Sequence, residues 1–252
     1  MAKRTPLIAG NWKMNKTVQE SVETAQALIP LISDVTGREI LIAPPFTSLA
    51  MVAQTVKGSL INVGAQNIFW EKSGAFTGEI AGNMLVSAGC SYVIIGHSER
   101  RQYFGETDET VNKRIKATLS VQLIPLVCIG ETEQERESQK TFSVLDTQIV
   151  NGLKNFSMDD LCKLVIAYEP VWAIGTGKTA TENQVQEVHE YIRKFLTKQY
   201  SASVSDTVRI LYGGSVKADN IDRIMALPDV DGVLVGGASL DVKGFNRIIH
   251  FN

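Results

Sequence analysis

The sequence predicts an α/β fold in which eight parallel strands, each followed by a helix, close into a single (β/α)8 barrel. Eight short runs rich in aliphatic and β-branched residues recur along the 252 residues, "PLIAG", "EILIA", "INVGA", "SYVIIG", "LIPLVCIG", "KLVIAY", "VRILY" and "GVLVGG". Most are nearly continuous in apolar character, as strands covered on both faces are. Their C-terminal ends fall 22 to 44 residues apart, the spacing of β/α units with loops of varied length. No linker or low-complexity stretch interrupts them, so residues 1–252 read as one domain. The competing arrangement is an open doubly wound sheet, which ordinarily carries a glycine-rich fingerprint after its first strand; here the first run leads into Asn11-Trp12-Lys13.

The helical segments between the runs carry their own start signals. Thr17 with Glu20 forms a capping box ahead of Val18, Val22, Ala25, Ile29 and Ile32, whose spacing predicts one apolar stripe. Thr181 with Gln184 opens a second such helix, carrying Val185, Val188, Ile192 and Phe195.

The formal net charge is −2 and no polybasic block appears, so general attraction to nucleic acid or to an anionic membrane surface is not supported. The apolar stretch before Asn11 is too short for a signal-peptide core and no later run reaches transmembrane length, which predicts a soluble, cytoplasmic protein. Cys90, Cys128 and Cys162 form no metal or redox spacing and are expected as buried thiols. Neither a metal nor any other cofactor is expected.

"YEPVWAIGTGKT" at 168–179 ends like a nucleotide-binding P-loop, but the glycine that such a loop needs five positions before Gly177 is replaced by Trp172. In a barrel, the polar residues that follow the runs converge on one mouth: Asn11 and Lys13 after the first, His97 and Glu99 after the fourth, Glu169 after the sixth. Gly213-Gly214-Ser215 and Gly236-Gly237-Ala238-Ser239 follow the last two. These glycines either make tight strand-to-helix turns or let backbone N–H groups grip a phosphate. Glu169, flanked by Tyr168, Pro170 and Trp172, reads as a base under apolar cover or as half of a salt bridge. His97 reads either as a core histidine or, since a barrel would bring it to the same mouth as Glu169, as a catalytic one, whereas His189 and His250, in helical contexts, fit core histidines. Lys13 reads either as a solvated strand-end lysine or as a cation for a phosphate or for charge developing on oxygen. A base, a histidine, a cation and an anion cradle suggest proton abstraction beside the carbonyl of a small phosphorylated molecule.

"GNWKMN", "GAQN", "GAFTGEI", "IGHSERR", "VCIGE", "AYEPVWAIGTGKTA", "YGGSV" and "GVLVGGASL" occur in this order, and with them the chain closely resembles the triosephosphate isomerases, over essentially its whole length. The resemblance implies a TIM barrel and cofactor-free interconversion of dihydroxyacetone phosphate and D-glyceraldehyde 3-phosphate. It assigns Glu169 as base and a neutral His97 as electrophile, roles that belong to that family's known chemistry and not to the spacing of residues. Asn11 and Lys13 would hold substrate and developing charge, with Glu99 supporting them, and Gly175, Ser215, Gly236 and Gly237 would bind the phosphate. Residues 170–180 would form a lid with Lys178 in its hinge, and residues 64–80 would join a homodimer with Thr77 near the tip of that loop. A Schiff-base aldolase, the nearest other barrel enzyme, would place a lysine where this chain has Glu169. A protein that kept only the fold would be expected to lack Glu169, His97 or Lys13. Arg100 and Arg101 are expected to be structural, pairing with acids such as Glu106.

Overall fold

All eight apolar runs are strands, and their alternating side chains explain why they read as apolar throughout. They are β1 (Leu7–Asn11), β2 (Glu39–Ala43), β3 (Ile61–Ala65), β4 (Tyr92–Ile95), β5 (Ile124–Ile129), β6 (Val165–Tyr168), β7 (Arg209–Tyr212) and β8 (Gly232–Val235). The computed structural model describes residues 4–174 and 178–252. Every strand is parallel to its neighbours in sequence order, and β1 pairs with both β2 and β8, which closes the barrel. Leu7, Ala9, Leu41, Ile94, Leu126, Cys128, Val165, Ala167, Leu211 and Leu234 pack in one cluster. The residues between them, such as Ile8, Ile40, Val93, Val127, Ile166, Ile210 and Val233, belong to a second cluster shared with the helices. One face of each strand thus fills the barrel and the other meets the helix ring.

Both anticipated capping boxes are present, at Thr17 and at Thr181. The long helix Glu182–Gln199 buries Val185, Val188 and Ile192 as expected, together with His189, Arg193 and Leu196, while Phe195 is only partly buried. The first helix, Val18–Leu28, is rotated from the expected stripe: its buried residues are Ser21, Ala25 and Leu28, and Val18 is exposed. Ser21 reaches the interior because its hydroxyl donates to that of Ser48 at 3.0 Å, which compensates for burying it.

His189 is a core histidine, whereas His250 is not. His250 ends the last helix half-exposed, with Nδ1 2.9 Å from the Asn246 carbonyl and Nε2 3.5 Å from Asp34. Cys90 and Cys128 are buried, but Cys162 is only partly so. Arg100 pairs with Glu106, and Arg101 pairs with Asp108 at 2.7 Å while donating to the Gly96 carbonyl at 2.9 Å.

Opposite the site, the first residues of β2, β4 and β7 form a polar plug. The Tyr92 hydroxyl donates to Glu39 at 2.6 Å, and Arg209 reaches Glu39 at 2.5 Å and the Tyr92 oxygen at 3.0 Å. Burial pushes the Tyr92 phenol up to about 12, so it keeps its proton as a donor.

Candidate active site

The strand ends do converge. Asn11, Lys13, His97, Glu169, Ser215, Gly236 and Gly237 line one cavity of about 500 Å³ at the C-terminal mouth of the barrel, together with Gly213, Gly214 and Lys217. Glu99 lies behind Lys13 and outside the cavity lining, and Gly175 lies outside the described residues.

Lys13 is held from both sides of its backbone. It takes the left-handed conformation with φ 51°, uncommon for a residue with a Cβ. Its N–H donates to the Asn11 side chain at 3.0 Å, and its carbonyl accepts from Gln66 at 2.8 Å. These contacts hold the strained turn and aim the side chain inward, where Nζ meets Glu99 at 2.5 Å. Gln66 lies in the quoted "GAQN" motif, but nothing local marks it as the group that pins Lys13.

His97 caps the helix Ser98–Phe104: its Nδ1 accepts the N–H of Glu99 at 3.2 Å. The other ring nitrogen, Nε2, therefore carries the proton of the neutral imidazole, and it lies 2.9 Å from Glu169 Oε1. The second carboxylate oxygen of Glu169 accepts the Ser98 N–H at 2.9 Å. Ser98 is thus a positioning group that sequence reasoning passed over, because a backbone N–H leaves no mark on residue type.

Backbone packing explains the place of Glu169, which is 2% exposed. A Cβ at Gly130 would come within 1.8 Å of the Glu169 carbonyl oxygen, and one at Gly213 within 2.9 Å of its Cγ. Glycine at both positions lets β5 and β7 close around the acid. Burial works against charge on Glu169, but His97 and the Ser98 N–H outweigh it and hold the carboxyl below its ordinary value. Burial likewise opposes charge on His97, and the Glu169 carboxylate overrides it to raise the imidazole. Burial, reinforced by Glu169, pushes the Cys128 thiol well above its ordinary value, so it remains a protonated neighbour.

On the far wall, the loops after β7 and β8 present mainly backbone. A Cβ on Gly236 would lie 3.8 Å from Lys13 Nζ, which places the cradle beside the amine. A Cβ on Gly237 would meet nothing within 4 Å, leaving its backbone open to the cavity. The P-loop-like stretch does something else. The Trp172 indole donates to Glu131 at 2.9 Å, Tyr168 and Arg136 reach the same oxygen at 3.1 and 3.0 Å, and Lys178 pairs with Glu133. Among the described residues, no group of three or more His, Cys, Asp or Glu side chains is placed to hold a metal ion.

A parallel eightfold barrel with a buried Glu–His pair facing a glycine cradle defines a class, the barrel enzymes that work by acid–base chemistry. Within that class, this chain belongs to the triosephosphate isomerase family, whose sequence profile matches residues 6–252. The triosephosphate isomerase of Geobacter metallireducens is 56% identical over 248 residues, covering 98% of this chain and 99% of the relative. That of Endomicrobium trichonymphae is 55% identical over 249 residues, 99% of each chain, and that of Clostridium botulinum 55% over 248 residues, 98% of this chain and 100% of the relative.

Proposed function

We propose that this cavity interconverts dihydroxyacetone phosphate and D-glyceraldehyde 3-phosphate, with Glu169 as the base that moves a proton between the two substrate carbons. The observation that carries the reading is the 2.9 Å contact of Glu169 with His97 inside the cavity that also holds the cradle. Glu169 removes a proton from the carbon bearing the hydroxyl, the electron pair moves to the carbonyl oxygen, and an enediolate forms. His97 gives its Nε2 proton to one oxygen and recovers one from the other, and Glu169 returns its proton to the neighbouring carbon. No atom is gained or lost, as isomerisation requires.

Glu169 accepts the Ser98 N–H and meets His97 Nε2, both at 2.9 Å. A substrate carbonyl competes for the same Nε2–H and so frees the carboxylate to face carbon. Once Glu169 has turned away, burial and the Glu99 N–H on Nδ1 both favour the neutral imidazole, an electrophile matched to an enediolate. Lys13 and Asn11 hold the oxygens at this end, with Glu99 fixing Lys13. Ser215, Gly236 and Gly237, with Gly175 from the 170–180 stretch, take the phosphate. That stretch acts as a lid over the enediolate, keeping water from it.

The chain 1–252 forms one domain and works as a homodimer in the cytoplasm. Among the described residues, no helix is long and apolar enough to cross a membrane. Met14 beside the site is 95% exposed and Phe76 in the 64–80 loop 43% exposed, with Met84 and Val86 exposed nearby in sequence. Phe69 and Trp70 are half-buried with their ring centroids 4.2 Å apart, so Phe76 is the exposed aromatic of that loop. A second copy is the partner for this surface, and a monomer at every concentration in sedimentation would refute it.

The test is a coupled assay of triose phosphate interconversion without added metal or nucleotide, on the natural protein and on Glu169→Asp. We expect fast turnover that falls roughly 10²- to 10³-fold in the variant, because shortening by one methylene misplaces the carboxylate. A natural protein without turnover would overturn the reading.

A further inference from the structure

Among the described residues, the cavity wall carries one cation, Lys217, without an ion-pair partner. Lys13 is tied to Glu99 at 2.5 Å, and Glu169 is paired with His97 at 2.9 Å, so neither pair offers net positive charge to an approaching dianion. Lys217 lines the same cavity as Ser215, Gly236 and Gly237, is exposed, and among the described residues has no hydrogen-bond or ion-pair partner for its ammonium. Its backbone, by contrast, is fixed. The Lys217 N–H donates to the Asn220 side chain at 2.8 Å, and Asn220 donates in turn to the Ser215 carbonyl at 3.0 Å. The turn after β7 is therefore stapled beside the cradle, and the long side chain is the part free to swing over it.

We propose that Lys217 is a second cation of the phosphate subsite, acting on capture of the dianion and not on proton transfer. This rests on the reading of the cavity as a triose phosphate site. A lysine ammonium is a point charge with three donors on a flexible stem, suited to following a phosphate from solvent to cradle. Because the phosphate carries the same charge in substrate and transition state, such a contact stabilises both alike. It lowers KM and leaves kcat unchanged. The contribution is long-ranged, so it fades as salt shortens the Debye length from about 10 Å at 0.1 M to about 3 Å at 1 M.

The experiment compares the natural protein with Lys217→Gln and Lys217→Arg, measuring isomerisation kinetics from low to high salt. Calorimetric titration of inorganic phosphate into each free protein runs alongside. We expect Lys217→Gln to raise KM and the phosphate Kd roughly three- to tenfold at low salt with kcat unchanged, and the gap to close near 1 M. Lys217→Arg, which keeps the charge, should stay near the natural values. Unchanged KM and phosphate Kd in Lys217→Gln, or a loss confined to kcat, would overturn the proposal. A natural protein that does not isomerise but binds phosphate more weakly in Lys217→Gln would overturn the isomerase reading alone and leave the role of Lys217 standing.

Discussion

The barrel holds ionisable groups at both ends, Glu169 and Tyr92 buried and Glu39 and Arg209 partly so, and the two clusters are built to opposite purposes. At the N-terminal end, Glu39, Tyr92 and Arg209 saturate one another, with Asn62 adding a further donor to Glu39 at 3.3 Å. At the C-terminal end, Glu169 is held by one imidazole N–H and one backbone N–H, both of which an incoming carbonyl or a side-chain rotation can release. The contrast teaches that burial of charge does not mark function. What separates the clusters is whether the partners are arranged to let go, and the upper one faces a cavity lined by the glycine loops after β7 and β8.

The largest effect that sharpens this contrast comes from Glu169→Gln. The amide is no base, so kcat/KM should fall by roughly 10³-fold or more. Its carbonyl oxygen can accept the His97 Nε2–H or the Ser98 N–H but not both, so stability should fall by about 1 to 3 kcal/mol. Kinetics and urea unfolding at one protein concentration measure both. A loss beyond that range would mean that the upper pair is as structural as it is catalytic.

Much of this was legible in the sequence where the cause is local. The eight strands follow from apolar runs, and the boxes at Thr17 and Thr181 from residues three apart. Asn11, Lys13, His97 and Glu169 were legible because a barrel brings all strand ends to one rim. What was not legible depends on contacts that only closure creates. Glu39 and Arg209 lie 170 residues apart, and each alone looks like a solvated strand-start charge. Ser98 and Gly130 act through backbone, and the first helix turned its Ser21 face inward because Ser48 waits there.

His189 tests the contrast as a buried base with no charged side chain in contact among the described residues. It packs on Tyr168 and Tyr212, its Nδ1 lies 3.2 Å from the Asp229 carbonyl, and its Nε2 has no partner among the described residues. Burial holds its pKa down at about 4, from an ordinary 6.5. The folded protein therefore keeps it neutral through a range in which the unfolded chain protonates it. The sign follows: between pH 6.5 and 4 the unfolded state binds more protons, so stability falls as pH falls through that window and levels off below it. The loss is on the order of 3 kcal/mol. His189→Asn keeps a donor near Asp229 and does not titrate. Unfolding measured from pH 7 to 4 should show a shallower decline in the variant, and parallel declines would show that the cost of burying His189 is relieved elsewhere.

The smallest effect bears on the lower cluster itself. Arg209→Met removes the cation and leaves Glu39 with Tyr92 and Asn62, and the Tyr92 oxygen without its donor. Breaking a fully buried pair costs about 3 to 5 kcal/mol, but the Glu39 side chain is 30% exposed and water can take up part of the charge. A loss of about 2 kcal/mol is the expected outcome, with kcat and KM within about twofold of the natural values because the change lies at the far end of the barrel. Replacing Glu39 with Leu in the same chain removes the orphaned carboxylate, so the double variant should be less destabilised than the two single changes added together. Additive losses would mean that Glu39 and Arg209 do not act as a pair. A fall in kcat with stability intact would collapse the distinction between the ends, since the plug would then be shaping the site above it and not only closing the barrel below.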